Sequence, residues 1–105
     1  HAPGQVIVVD QTGEHGAKVA ARLKHLSGSG SIDWLRRQVP NIPAAMNAGL
    51  AAARGDFVLF LDDDIHISTE LVQLHCMEYE DPAVGCVAGR VIRVRAGFTC
   101  PWKTA

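Results

Sequence analysis

No hydrophobic run in this sequence approaches the roughly 20 apolar residues that a membrane-crossing helix needs. Its opening residues also lack the pattern of a signal peptide. Cysteine is scarce. Cys76, Cys86 and Cys100 form no C-x-x-C pair and leave one thiol over in any pairing scheme. That excludes a disulfide scaffold and a zinc site, points to a reducing, cytoplasmic setting, and makes each cysteine a small core residue. Charge of one sign is also lacking: a net charge of −1 offers no electrostatic case for nucleic acid or an anionic membrane surface. Repeats, low-complexity tracts and internal linkers are absent. What remains is an ordinary globular composition, 48% apolar and 20% charged, in 105 residues, enough for one modest domain. Because it begins at His1, the sequence reads as a piece of a longer chain.

The most informative run is Phe57-Val58-Leu59-Phe60-Leu61-Asp62-Asp63-Asp64, in which five apolar residues lead into three adjacent carboxylates. The apolar part, bounded by Gly55 and by charge, predicts a buried strand. Three carboxylates at a strand end repel one another, and Arg54 is the sole Lys or Arg within eight residues on either side. A shared cation would relieve that repulsion. Hard ions such as Mg²⁺ or Mn²⁺ take one or two carboxylates plus substrate phosphates. The plainer alternative is an acidic loop that starts the next helix, where negative charge is favourable.

Along the chain, Gln5–Asp10 (QVIVVD) predicts a buried β-branched strand, and Gln11–Gly16 a loop. From Ala17 to Leu26 the apolar Val19, Ala20, Leu23 and Leu26 fall at helical spacing, with Lys18, Arg22 and His25 opposite. A second strand is expected over Ile32–Val39. Pro43 suits a first helical turn, and the alanine-rich helix that follows runs to Arg54 and stops at Gly55. Its small side chains permit close approach to a sheet or ligand. The third strand is Asp56–Leu61. Ser68 is a good N-cap for a helix to about Tyr79, with Leu71, Val72, His75, Cys76 and Tyr79 on one face. A last strand is expected over Val84–Val94.

Strands alternating with helices predict an α/β fold, a three-layer, mostly parallel sheet with right-handed crossovers. Parallel strands end at one edge, and open parallel sheets bind ligands beyond their carboxyl ends. Asp10 and Asp62–Asp64 are therefore expected to converge there, although 52 residues separate the first two.

From Val6 to about Val91 the chain resembles the family 2 glycosyltransferases, inverting enzymes with a nucleotide-sugar-binding GT-A fold. The likeness rests on Val8-Val9-Asp10, on Asn41–Leu50 (NIPAAMNAGL), on Ala53-Arg54-Gly55-Asp56, and on Phe60-Leu61-Asp62-Asp63-Asp64, which is similar to the family's Asp-x-Asp motif. The order and spacing of these pieces carry the resemblance. It implies a UDP- or dTDP-sugar donor. Asp10, Asn47, Asp62 and Asp63 would be nucleotide-sugar-binding residues, and Asp62 and Asp64 ligands of Mn²⁺ or Mg²⁺. A carboxylate at Asp10 suits the imide N–H of uracil or thymine, while a helix cap at the strand end is its structural alternative. A divalent ion held by Asp64 would neutralise the leaving nucleoside diphosphate.

The chain also departs from the family. Met46 stands where an Arg usually precedes the helix Asn, and Gln11-Thr12-Gly13 replaces the usual Asp-x-Gly-Ser. The family's first strand and its later catalytic base lie outside the matching region. The resemblance thus implies a central portion of a transferase, inactive for transfer by itself, whose membrane association would come only through other regions. An uncovered sheet edge would favour a homo-oligomer. A second reading is a non-catalytic α/β remnant that acts by self-association or partner binding. A receiver-like or phosphatase-like domain ranks last, because Asp62-Asp63-Asp64-Ile65-His66 lacks Asp-x-Asp-x-Thr. His66 reads as a solvated surface residue rather than a ligand. Trp34 reads as core with stacking as the alternative, Trp102 has no clear role, and Arg90, Arg93 and Arg95 form one solvated face.

Overall fold

The computed structural model describes residues 2–91. Arg93, Arg95, Cys100, Trp102 and the far end of the expected Val84–Val94 strand lie outside the described residues. The chain divides between Val72 and Gln73 into two compact units.

In the first unit, β1 (Ile7–Asp10) pairs in parallel with β2 (Asp33–Arg36) across α1 (Ala17–Gly28), and α2 (Ile42–Ala52) follows. The register sets Val8 opposite Trp34 and Asp10 opposite Arg36. Side chains alternate along a strand, so Val8, Asp10, Trp34 and Arg36 share one face, and Ile7, Val9, Asp33 and Leu35 the other. The ladder runs slightly past both ends: Asp33 N–H donates to Val6 O at 2.8 Å, and Arg37 N–H to Asp10 O at 2.8 Å.

α1 turns Ala20, Leu23 and Leu26 inward at helical spacing, while Val19, expected on that face, is exposed. It packs on β2. After it the chain reverses through Gly30, whose φ of 77° is the left-handed region that side chains disfavour. α2 starts where Asn41 Oδ1 accepts the Ala44 N–H at 2.8 Å, with Pro43 in the first turn, where its missing N–H costs nothing. The helix ends at Ala52, with Ala53 already extended, so the stop precedes Gly55. The expected close approach is present: a Cβ on Gly49 would lie 3.5 Å from Val9 Cγ2.

Gln5 ties three elements together at the amino edge of the sheet. Its Nε2 donates to Asp33 Oδ2 at 2.7 Å and to Ala52 O at 3.0 Å, and its Oε1 accepts the Arg54 N–H at 2.9 Å. Arg54 also lies 3.6 Å from the Asp33 carboxylate.

Two expected strands are corrected. The segment Asp56–Leu61 is not a strand of the sheet among the described residues; the chain bends at residues 55–57, where Phe57 O sits 3.4 Å from the position of a Gly55 Cβ. Its five apolar side chains are exposed. An apolar run specifies a strand only if a neighbour supplies the ladder, and among the described residues the sheet has two strands. Residues 84–91 are likewise not in a strand. The physical cause is the same: a strand's hydrogen bonds are non-local, and periodicity does not reveal the partner.

α3 (Leu71–Glu78) begins three residues after Ser68, whose carbonyl accepts the Leu71 N–H at 3.3 Å. Leu71, Val72, His75, Cys76 and Tyr79 are the half-buried residues of this stretch, as their spacing predicts. In the second unit Gly89 approaches the His75 ring, with its Cβ position 3.6 Å from Cε1 and Nε2.

The Gly49 contact separates two substitutions. Gly49→Ala should fold with equal or greater stability, since 3.5 Å is an ordinary contact and alanine gains up to ~1 kcal/mol of helix propensity. Gly49→Leu should lose about 1–3 kcal/mol through overpacking against Val9. Urea denaturation of the two variants measures both.

Candidate functional site

β1 delivers Asp10 to the carboxyl edge of the sheet, where the chain turns out of the strand. A carboxylate there is costly to enclose unless donors meet it. Asp10 is nonetheless the one buried residue among those described, with 7% of its surface exposed. Three donors account for it. The Thr12 N–H reaches Oδ1 at 2.9 Å, closing a turn of the kind aspartate favours two residues ahead of itself. The His15 ring nitrogen Nε2 lies 2.5 Å from Oδ2, and Trp34 Nε1 donates to the same oxygen at 3.0 Å. Burial by itself pushes the Asp10 carboxyl upward, but the His15, Thr12 and Trp34 donors and the His15 charge outweigh it. The group is held well below the usual carboxylate range.

The helix-cap alternative for Asp10 is replaced by this loop clamp: its side chain caps a turn and holds His15 ahead of α1. Trp34 is half-buried and acts as a polar partner as well as an apolar one. Neither His15 nor Trp34 was marked as an Asp10 partner from the sequence. The available signal was that a strand-end carboxylate next to a loop containing a histidine needs donors.

Beyond Asp10 the carboxyl edge carries an open cleft of about 390 Å³ lined by Thr12, Gly13, Arg36, Arg37 and Gln38. The Arg36 guanidinium lies over Trp34, 5.2 Å from the ring centroid, and its Nη2 is 3.5 Å from Gly13 O. Gln11 Nε2 donates to Asn41 O at 2.7 Å, tying the loop after β1 to the start of α2.

The remaining candidates are placed as follows. Asn47 is exposed on α2. Asp62, Asp63 and Asp64 are exposed, with Asp63 and Asp64 in a turn. His66 is exposed, as its surface reading expects. The expected convergence of Asp10 with Asp62–Asp64 depended on Asp56–Leu61 joining the sheet as a parallel strand, and among the described residues the sheet consists of β1 and β2. Among the described residues, no three His, Cys, Asp or Glu side chains gather as a metal cage. The triplet offers carboxylate oxygens, the donor type that magnesium and manganese prefer.

The carboxylate at Asp10 is depressed in the folded chain relative to about 3.9 when unfolded. Its contribution to stability is thus present above about pH 4 and is lost as pH falls toward its folded value. Asp10→Asn should lower stability at pH 7 by about 1–3 kcal/mol, since hydrogen bonds to a charged group are lost or weakened. It should also flatten the acid limb of the stability curve below about pH 4. Denaturation midpoints measured from pH 2 to 8 test both effects.

No curated protein sequence and no solved structure matches the chain. The family described as glycosyl transferase family 2 matches residues 3–104, nearly the whole sequence. The parallel βαβ unit followed by α2 is the α/β arrangement that the resemblance implies. The chain belongs to the family 2 glycosyltransferases.

Proposed function

We propose that this chain is the nucleotide-sugar-binding portion of an inverting glycosyltransferase whose donor is a UDP- or dTDP-sugar. One observation carries the reading: in a chain of this family, the carboxyl edge of the parallel pair presents Asp10 beside an open cleft with two arginines. Ligands of open parallel sheets sit beyond that edge. Asp10 is assigned to the base, through the lone-pair capacity left after its three internal donors. Asn47 and Asp63 are assigned to the sugar nucleotide.

Asp62 and Asp64 would hold Mn²⁺ or Mg²⁺, with donor phosphate oxygens completing the coordination. When bound, the ion supplies charge neutralisation for the departing nucleoside diphosphate. The residues do the rest of the work. Asp10, fixed at three points, offers a preorganised acceptor, so little ordering cost falls on the bound base.

A second reading, self-association into a homodimer, has its own support. Phe57, Phe60 and Leu61 are 58%, 48% and 48% exposed within one continuous apolar segment. Segments of that kind mark interfaces.

Asp62→Asn with Asp64→Asn should weaken Mn²⁺ binding in the presence of UDP more than tenfold, because each ligand charge contributes over ~1.4 kcal/mol. Calorimetry reads this, and unchanged affinity would remove the metal assignment. For the second reading, light scattering at high micromolar concentration should give a dimer, and Phe57→Asp with Phe60→Asp a monomer. A wild-type monomer rules it out.

A further inference from the structure

Arg36 ends β2 at the carboxyl edge and Arg37 follows it, and neither forms an ion pair among the described residues. The acid–base pairs found there are His15 with Asp10 and Arg54 with Asp33. Asp10, opposite Arg36 in the register, has its oxygens engaged by Thr12, His15 and Trp34. Two adjacent guanidinium groups therefore border the cleft without an ion-pair partner among the described residues.

They are also held unequally. Arg36 is braced by its position over Trp34 and by the Gly13 carbonyl. Arg37 is pinned through its backbone, which donates to Asp10 O at 2.8 Å, while its side chain makes no hydrogen bond or ion pair among the described residues. Both line the cleft together with Thr12 and Gly13. Guanidinium is weakly hydrated and presents a planar fork of donors that matches phosphate oxygens in pairs. Bracing one fork in advance reduces the entropy lost on binding. Trp34 therefore serves twice, as a donor to Asp10 and as the platform for Arg36.

We propose that Arg36 and Arg37, with the Thr12–Gly13 turn, form a phosphoanion site that takes the diphosphate of a nucleoside diphosphate. The choice of a nucleoside diphosphate over free phosphate rests on the donor-binding reading above. The phosphoanion site itself does not.

The chain is titrated by calorimetry with inorganic pyrophosphate, UDP and uridine at low and high salt. Arginine side-chain N–H resonances are followed in parallel. Pyrophosphate should bind, move the resonances of Arg36 and Arg37, and weaken as salt rises, since the contact is a partly exposed charge pairing. Arg37→Gln should weaken pyrophosphate at least threefold, and Arg36→Gln with Arg37→Gln at least tenfold. Arg36→Lys, which keeps the charge but loses the fork, should fall between them. Far-ultraviolet circular dichroism and the urea midpoint check that the double variant is folded, and Arg37→Gln removes no side-chain hydrogen bond or ion pair found among the described residues. UDP binding at least tenfold tighter than pyrophosphate, and arginine-dependent, supports both the site and the nucleotide. Arginine-dependent pyrophosphate binding with UDP no tighter supports the site and removes the nucleotide reading. UDP binding that ignores both arginines, or no binding of pyrophosphate at all, overturns the proposal.

Discussion

A buried carboxylate with three donors organises the first unit of this protein. Asp10 sits at the end of β1, and its donors come from the following turn, from the residue before α1's entry loop ends, and from β2. Removing any of these leaves charge enclosed without its compensation, which costs more than the missing hydrogen bond alone would suggest. The clamp therefore couples strand pairing, loop conformation and helix placement. Nothing comparable is supplied by the hydrophobic side chains, none of which is fully buried among the described residues.

The opposite edge of the sheet has a weaker counterpart. Gln5 spends both ends of its amide on Asp33, Ala52 and the Arg54 N–H, joining the start of each strand to the end of α2. A neutral amide does this without a desolvated charge, so the amino edge is held by ordinary hydrogen bonds while the carboxyl edge is held by charge-assisted ones. Between the two edges Gly49 lets α2 lie close over Val9. The carboxyl edge is thus the more firmly defined, which suits the edge at which parallel sheets take their ligands.

Charge is distributed around that edge in a way that bears on ligand type. The negative group nearest the cleft, Asp10, is held by three internal donors, while Arg36 and Arg37 have no ion-pair partner among the described residues. An anionic ligand meets two guanidinium charges there, against the single charge of the clamped Asp10. The Asp62–Asp64 triplet has the reverse character, exposed acid with no ion pair among the described residues. An anion and a dication together would complement the two, and that pairing is the chemistry of a nucleoside diphosphate bound with a metal ion.

Much of the fold was legible in the residues. β1, α1, β2, α2 and α3 follow from β-branched runs and helical spacing, and the half-buried set on α3 was placed residue by residue. Asp10 as a strand-end carboxylate, the small-residue approach of α2 and the membership in a glycosyltransferase family were legible too. All of these depend on local pattern or on the order of short motifs along the chain. The donors to Asp10, the bracing of Arg36 over Trp34 and the place of Asp56–Leu61 outside the described sheet were not legible. Trp34 meets Asp10 across 24 residues and a strand needs an edge to join, while the Thr12 and His15 donors and the Arg36 stack are local contacts whose geometry residue spacing does not fix. Periodicity says that a segment can be a strand or a helix. Which neighbour satisfies its backbone and its charges is decided by tertiary structure, because hydrogen bonds between strands and to buried carboxylates are made between segments that sequence spacing does not relate.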